Sequence, residues 1–197
     1  TQINLSLFVL NNPVLLFDIL GLDWSVEEVA KIMCCHKEYR HVIEALEKGQ
    51  RVIFMFDKGF LIWEKPDGTT ERKEEPELRG EMKSWKTPQE IYTRASLSPE
   101  EAAANIAHET FHVTEKDPTK AGKENEIRVR VATEQFRIRN GMPPTKPGYR
   151  KKDGTVDEDF IRKEVEGSPV YNPPAGAPKV IGTDYEGTSK TSGWKCP

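Results

Sequence analysis

Apolar residues alternate with polar ones at Leu5, Leu7 and Val9, the period-two pattern of a strand, and Asn11-Asn12-Pro13 follows with turn chemistry. From Ser25 the period lengthens. Ser25 and Glu28 form a capping box, and Val26, Val29, Ile32 and Met33, then Val42, Ile43 and Leu46, continue a helical pattern to a stop at Gly49. Residues 51–56 and 60–64, separated by Asp57-Lys58-Gly59, predict a β-hairpin, and Pro66-Asp67-Gly68 predicts a second turn leading towards a third strand. Residues 71–90 are charged and weakly patterned, which predicts an irregular loop.

Ser98-Pro99-Glu100-Glu101 is the clearest helix start: Ser98 caps, Pro99 suits the first helical position and Glu101 sits where a capping box needs it. This helix should run to about 115, where Asp117-Pro118 ends it. A further helix is expected over 123–139, stopped by Asn140-Gly141 and Pro143-Pro144, and a short one near 157–165. Residues 172–197 are rich in Pro, Gly, Ser and Thr and are expected to be extended or disordered. The predicted fold class is α+β, with a small antiparallel sheet from residues 51–73 packed on the helices.

At 197 residues the chain suits one ordinary domain, and 31% charged residues against 36% hydrophobic ones indicate a polar surface. A net charge of -3 argues against a broad nucleic-acid-binding face. The apolar opening is broken by Asn11, Asn12, Pro13 and Asp18, so neither a signal peptide nor a membrane span is expected. Without an initiator Met, the chain reads as a piece of something longer. The three cysteines, Cys34, Cys35 and Cys196, are odd in number, and two are neighbours. No disulfide framework is expected, which points to a reducing compartment.

The chemistry concentrates at His108-Glu109-Thr110-Phe111-His112. Four residues advance a helix by about 400°, so both imidazoles leave the same face and can reach one metal. Glu109, beside the first ligand, can take a proton from a water held by that metal. This is the HExxH pattern of a zinc hydrolase, and small apolar residues precede it over 102–107, as a buried helix requires. A catalytic zinc needs a third protein ligand. His36 and His41 are five apart and diverge by about 140° around a helix, so a carboxylate is favoured. Glu115, Asp117, Glu124, Glu126 and Glu134 follow the motif. Glu115 and Asp117 lie too near the first helix's end, whereas a helix–loop–helix return brings Glu126 towards the metal. Arg128, Arg130, Arg137 and Arg139 with Phe136 suggest a solvated basic helix face or, in the second case, a binding stripe.

Two resemblances sharpen this reading. Glu126-Ile127, Glu134-Gln135-Phe136-Arg137, Gly141-Met142-Pro143 and Tyr149 resemble the region after HExxH in bacterial effector metallopeptidases, the toxin domains found at the ends of polymorphic toxins. The resemblance implies a zincin-like fold, His108, His112 and Glu126 (alternatively Glu134) as Zn2+ ligands, Glu109 as catalytic base and Tyr149 as an oxyanion-stabilising phenol. Asn11-Asn12-Pro13-Val14 and Asp18-Ile19-Leu20-Gly21-Leu22 resemble the end of an Rhs (YD-repeat) core, with Ile19 where that pattern has Pro. It implies a junction segment over 1–24 and a toxin domain over 25–197. The toxin would be released from an Rhs shell into a target cell, act there on a protein in the cytoplasm or periplasm, and be neutralised by an immunity protein. A zinc amidase acting on cell-wall material and a non-proteolytic toxin that binds protein or nucleic acid are the alternatives.

Overall fold

A computed structural model describes residues 24–114, 122–168, 171 and 174–197. The Rhs-like junction over residues 1–23, and the ligand candidates Glu115 and Asp117, lie outside the described residues.

The chain is a mixed α+β fold. Helix α1 (Val26–Cys34) starts in the expected capping box: Ser25 Oγ accepts from the Glu28 amide at 3.2 Å, and the Ser25 amide donates to Glu28 Oε2 at 3.1 Å. The expected single helix to Gly49 is broken instead. A 3-10 turn (Lys37–Tyr39) separates α1 from α2 (Arg40–Glu47). That break turns α2 so that Val42, Ile43 and Leu46 enter the same core as Val29 and Met33.

Five strands follow: β1 (Arg51–Phe56), β2 (Lys58–Glu64), β3 (Thr70–Glu74), β4 (Gly80–Lys83) and β5 (Gln89–Arg94). The expected hairpin is not formed. β1 and β2 are consecutive, but with Asp57 alone between them they enter different sheets. A Cβ at Gly59 would lie 2.7 Å from Leu78 Cδ2 and 3.2 Å from Phe56 Cε2, so a larger residue at this corner would have to push the Leu78 side chain aside. The second turn does lead to a strand: β3 pairs antiparallel with β2. The loop expected over 71–90 is corrected to the end of β3, all of β4 and the start of β5. These strands are short and charged. β3, on a sheet edge, buries no side chain, so its strand character comes from pairing and leaves little periodicity to read.

One sheet has the order β4-β5-β1-β7 and the other β3-β2-β6, where β6 is Lys179–Glu186 and β7 is Ser189–Lys190. The first sheet is not purely antiparallel as expected. β1 and β5 run parallel, Ile53 opposite Ile91, because the chain visits the second sheet between them. Within the C-terminal segment expected to be extended or disordered, the described residues 174–197 carry two extended strands: β6 lines the length of β2 and β7 adds to β1.

Helices α3 (Pro99–Thr114), α4 (Lys123–Arg139) and α5 (Glu158–Gly167) match the expected positions. Ser98 Oγ accepts from the Glu101 amide at 3.2 Å, but the Glu101 carboxylate does not close a capping box. It turns to Arg79 and Arg137. The α3 face towards α1 and the first sheet is alanine-rich (Ala102, Ala103, Ala104, Ala107), and small side chains let these backbones approach closely around Ile53, Ile91 and Ile106. A smaller cluster of Ile127, Tyr149, Ile161 and Val165 fixes α5 on α4.

The expectation of no disulfide is overturned: Cys34 is bonded to Cys196, 162 residues away. Trp194 packs beside Trp24 and into the main core, carrying the C-terminal end back to α1. Such an approach between distant segments leaves no trace in cysteine spacing. Cys35 is exposed, its Sγ donating to the Lys31 carbonyl. The inference of a reducing compartment therefore loses its basis. No helix among the described residues is long and apolar enough to cross a membrane.

Candidate metal centre

The site lies where α3 meets α4 and the free edge of the first sheet. The helical spacing turns His108 and His112 to one side, with their Nε2 atoms 3.2 Å apart. The start of α4 brings Glu126 opposite, its Oε2 3.5 Å from His112 Nε2. Ligand atoms of His108, His112 and Glu126 all fall within 4.8 Å of one another. Ligands held at about 2.0–2.1 Å around a tetrahedral centre lie roughly 3.3 Å apart, close to the spacing of two of these pairs, so the group could hold a metal ion. Glu134 does not join them. It is fully buried, and its carboxylate accepts from the Thr145 amide at 3.1 Å, the Thr145 hydroxyl at 2.9 Å and Arg150 Nε at 2.5 Å. Glu124 pairs with Arg162 at 2.6 Å. His36 bonds Asn140 at 3.1 Å and packs on Phe136, while His41 is exposed on α2.

Two of the three ligands, His108 and Glu126, are held from behind. Thr133 Oγ1 donates to the Val129 carbonyl at 2.8 Å and so accepts from His108 Nδ1–H at 3.0 Å, leaving the His108 Nε2 lone pair facing the site. Arg130 Nε donates to Glu126 Oε1 at 2.6 Å, leaving Oε2 towards the histidines. Tyr171 also bonds Arg130 and Glu126. Tyr149, only 2% exposed, receives Arg130 Nη1 on its hydroxyl at 2.8 Å. Tyr149 thus sits behind Glu126, with Arg130 between them, among the residues that line the same cavity.

Burial holds both histidines neutral, with His108 pushed down to about 4 although the Glu126 charge acts the other way. Burial raises Glu126, but His108 and Arg130 outweigh it and leave the carboxylate below its usual range. Glu109 is buried at 7% exposure and is pushed up to about 8, by desolvation first and then by the Glu126 and Glu81 charges, while the Met82 amide favours its ionised form. Neutral imidazoles and an ionised carboxylate are the protonation states a metal needs.

His108, Glu126 and Glu109 line a cavity of about 480 Å³, walled by the segment before β4, the outer face of α3, and α4. Glu101 ties these walls together. It accepts Arg137 Nη1 and Nη2 at 2.8 and 2.5 Å, and Arg79 Nη1 at 2.8 Å. The reading of Arg130 and Arg137 as a solvated or binding face is corrected by these contacts. Both turn inwards, and Arg137 is 2% exposed. The Glu126–Arg130 spacing of four was a legible signal for an ion pair on one helix. The Thr133 and Glu101 contacts cross between helices and had no such signal.

No protein-family model matches the chain, and neither a curated protein nor a solved structure matches it.

Proposed function

We propose that this chain is a zinc-dependent endopeptidase with a zincin-like arrangement, delivered as a bacterial toxin. The observation that carries the reading is the convergence of His108, His112 and Glu126 within 4.8 Å, beside a cavity that His108, Glu126 and Glu109 line. Zinc held by these residues would supply a Lewis acid for the scissile carbonyl and acidify the attacking water. Glu109 acts as general base and then passes the proton to the leaving amine. Its raised proton affinity, near neutrality, suits that exchange. Thr133 and Arg130 keep His108 and Glu126 aimed, and Tyr149 acts through Arg130.

The toxin setting rests on the resemblances at residues 11–22 and 126–149. In that reading the domain leaves an Rhs shell, enters a target cell and cleaves a protein in its cytoplasm or periplasm, and an immunity protein covers it in the producing cell.

Elemental analysis of the purified chain tests the centre, with about one zinc per chain expected in wild type and Glu109→Ala, and a sharp loss in His112→Ala and Glu126→Ala. Assays on an unstructured protein substrate and on peptidoglycan test the chemistry. Cleavage of the protein, abolished in Glu109→Ala, supports the endopeptidase. Hydrolysis of peptidoglycan alone would replace it with an amidase, and toxicity surviving in Glu109→Ala would replace it with a binding toxin. A folded wild type that takes up no zinc sinks the hydrolase reading.

A further inference from the structure

Arg130 poses an electrostatic problem. Its guanidinium lies 2.6 Å from Glu126 Oε1, directly behind the carboxylate that would hold a dication. A partly buried positive charge there repels the metal and competes for the electrons of Glu126, with little water to screen it. The other side of Arg130 meets a counter-charge. Arg130 Nη1 is 3.7 Å from Glu164 Oε1 on α5, and the same nitrogen donates to the Tyr149 hydroxyl at 2.8 Å. Lys146 caps the outer side of Glu164, but its side chain is 55% exposed and its charge is screened by solvent. Tyr149 is seated in the cluster that fastens α5 to α4, so the spacing from Glu164 to Arg130 is set by packing.

We propose that Glu164 is a positioning residue for the third zinc ligand: by neutralising Arg130 across their ion pair, it lets Arg130 orient Glu126 without weakening the metal's hold. The inference rests on the zinc reading of the site and adds α5 to its machinery. Glu164 touches none of the three ligands and acts through Arg130.

Zinc affinity of the full chain, measured by competition with a chromophoric chelator, is the test, and thermal unfolding of each zinc-free variant checks its fold. Glu164→Gln, which keeps the shape and removes the charge, is expected to lose about tenfold in affinity, as removal of outer partners of metal ligands does. Glu164→Asp, which keeps the charge, should stay within about threefold of wild type. In an Arg130→Met background the Glu164→Gln step should shrink to about twofold, because the charge to be neutralised is gone. An affinity of Glu164→Gln equal to wild type overturns the proposal. So does an equal loss in both backgrounds, which would mark Glu164 as a general structural support. A wild type that binds no zinc fails differently: it removes the metal reading itself and this proposal with it.

Discussion

His108 and Thr133 lie on different helices, and the threonine hydroxyl fixes which nitrogen of the imidazole faces the metal site. Thr133 Oγ1 is committed as a donor to the Val129 carbonyl, so it can only accept from His108 Nδ1, 3.0 Å away. Thr133→Val keeps the shape and removes the acceptor. It is expected to weaken zinc affinity by about tenfold or more, with Thr133→Ser close to wild type. Chelator competition on the folded variants checks this. Equal affinities for valine and serine would show that the hydroxyl does not orient the ring.

Glu126 and Glu134 are eight residues apart on α4 and serve different ends. Glu134 has no exposure and receives Thr145 and Arg150, which tie the segment after α4 to the helix. Glu134→Ala leaves Arg150 without its partner and is expected to cost about 3–5 kcal/mol of stability. The zinc content of the folded protein should be unchanged. Denaturant unfolding and elemental analysis separate the two effects, and zinc loss in a folded Glu134→Ala protein would reassign the third ligand.

The Glu101–Arg137 pair makes folding acid-sensitive. Arg137 holds the Glu101 carboxyl below its ordinary value of 4.5, with partial burial acting against it and Arg79 adding to the lowering. A depressed carboxyl contributes stability that is fully present above its unfolded pKa and is lost as pH falls through the folded one. Stability should therefore decline below about pH 4.5, and Glu101→Gln should flatten that part of the curve while lowering stability at neutral pH. Unfolding midpoints measured between pH 3 and 7, with the site metal-free, provide the check. An unchanged acid slope in Glu101→Gln would discount the pair.

The Cys34–Cys196 bond predicts one reactive thiol in the native protein, from Cys35, and three after reduction. Removing the bond with Cys34→Ser should lower stability by about 2–4 kcal/mol, since it releases the loop between the two cysteines. Cys35→Ser should change stability little. Thiol titration and thermal unfolding under non-reducing conditions decide it, and three reactive thiols in the untreated native protein would refute the bond.

Local chemistry was legible along the chain because it depends on neighbours within one helical turn. Ser25 with Glu28 marked the start of α1, Ser98-Pro99 marked that of α3, and the spacing of four in His108 and His112 brought both imidazoles to one side. The i,i+4 relation of Glu126 to Arg130 could be read in the same way. Glu126 itself was reached from the expectation of a helix–loop–helix return.

Tertiary structure alone decided what depends on segments meeting. β1 pairs with β5 and not with its neighbour β2, and the polar β4, inside an expected loop, becomes a strand because β5 supplies its hydrogen bonds. Glu134 faces Arg150 and Glu126 faces the histidines because α4 has different neighbours at those two points. Cys196 reaches Cys34 because Trp194 enters the core. A side-chain period records how polar the two faces of one segment are, and carries no record of which distant segment will cover them.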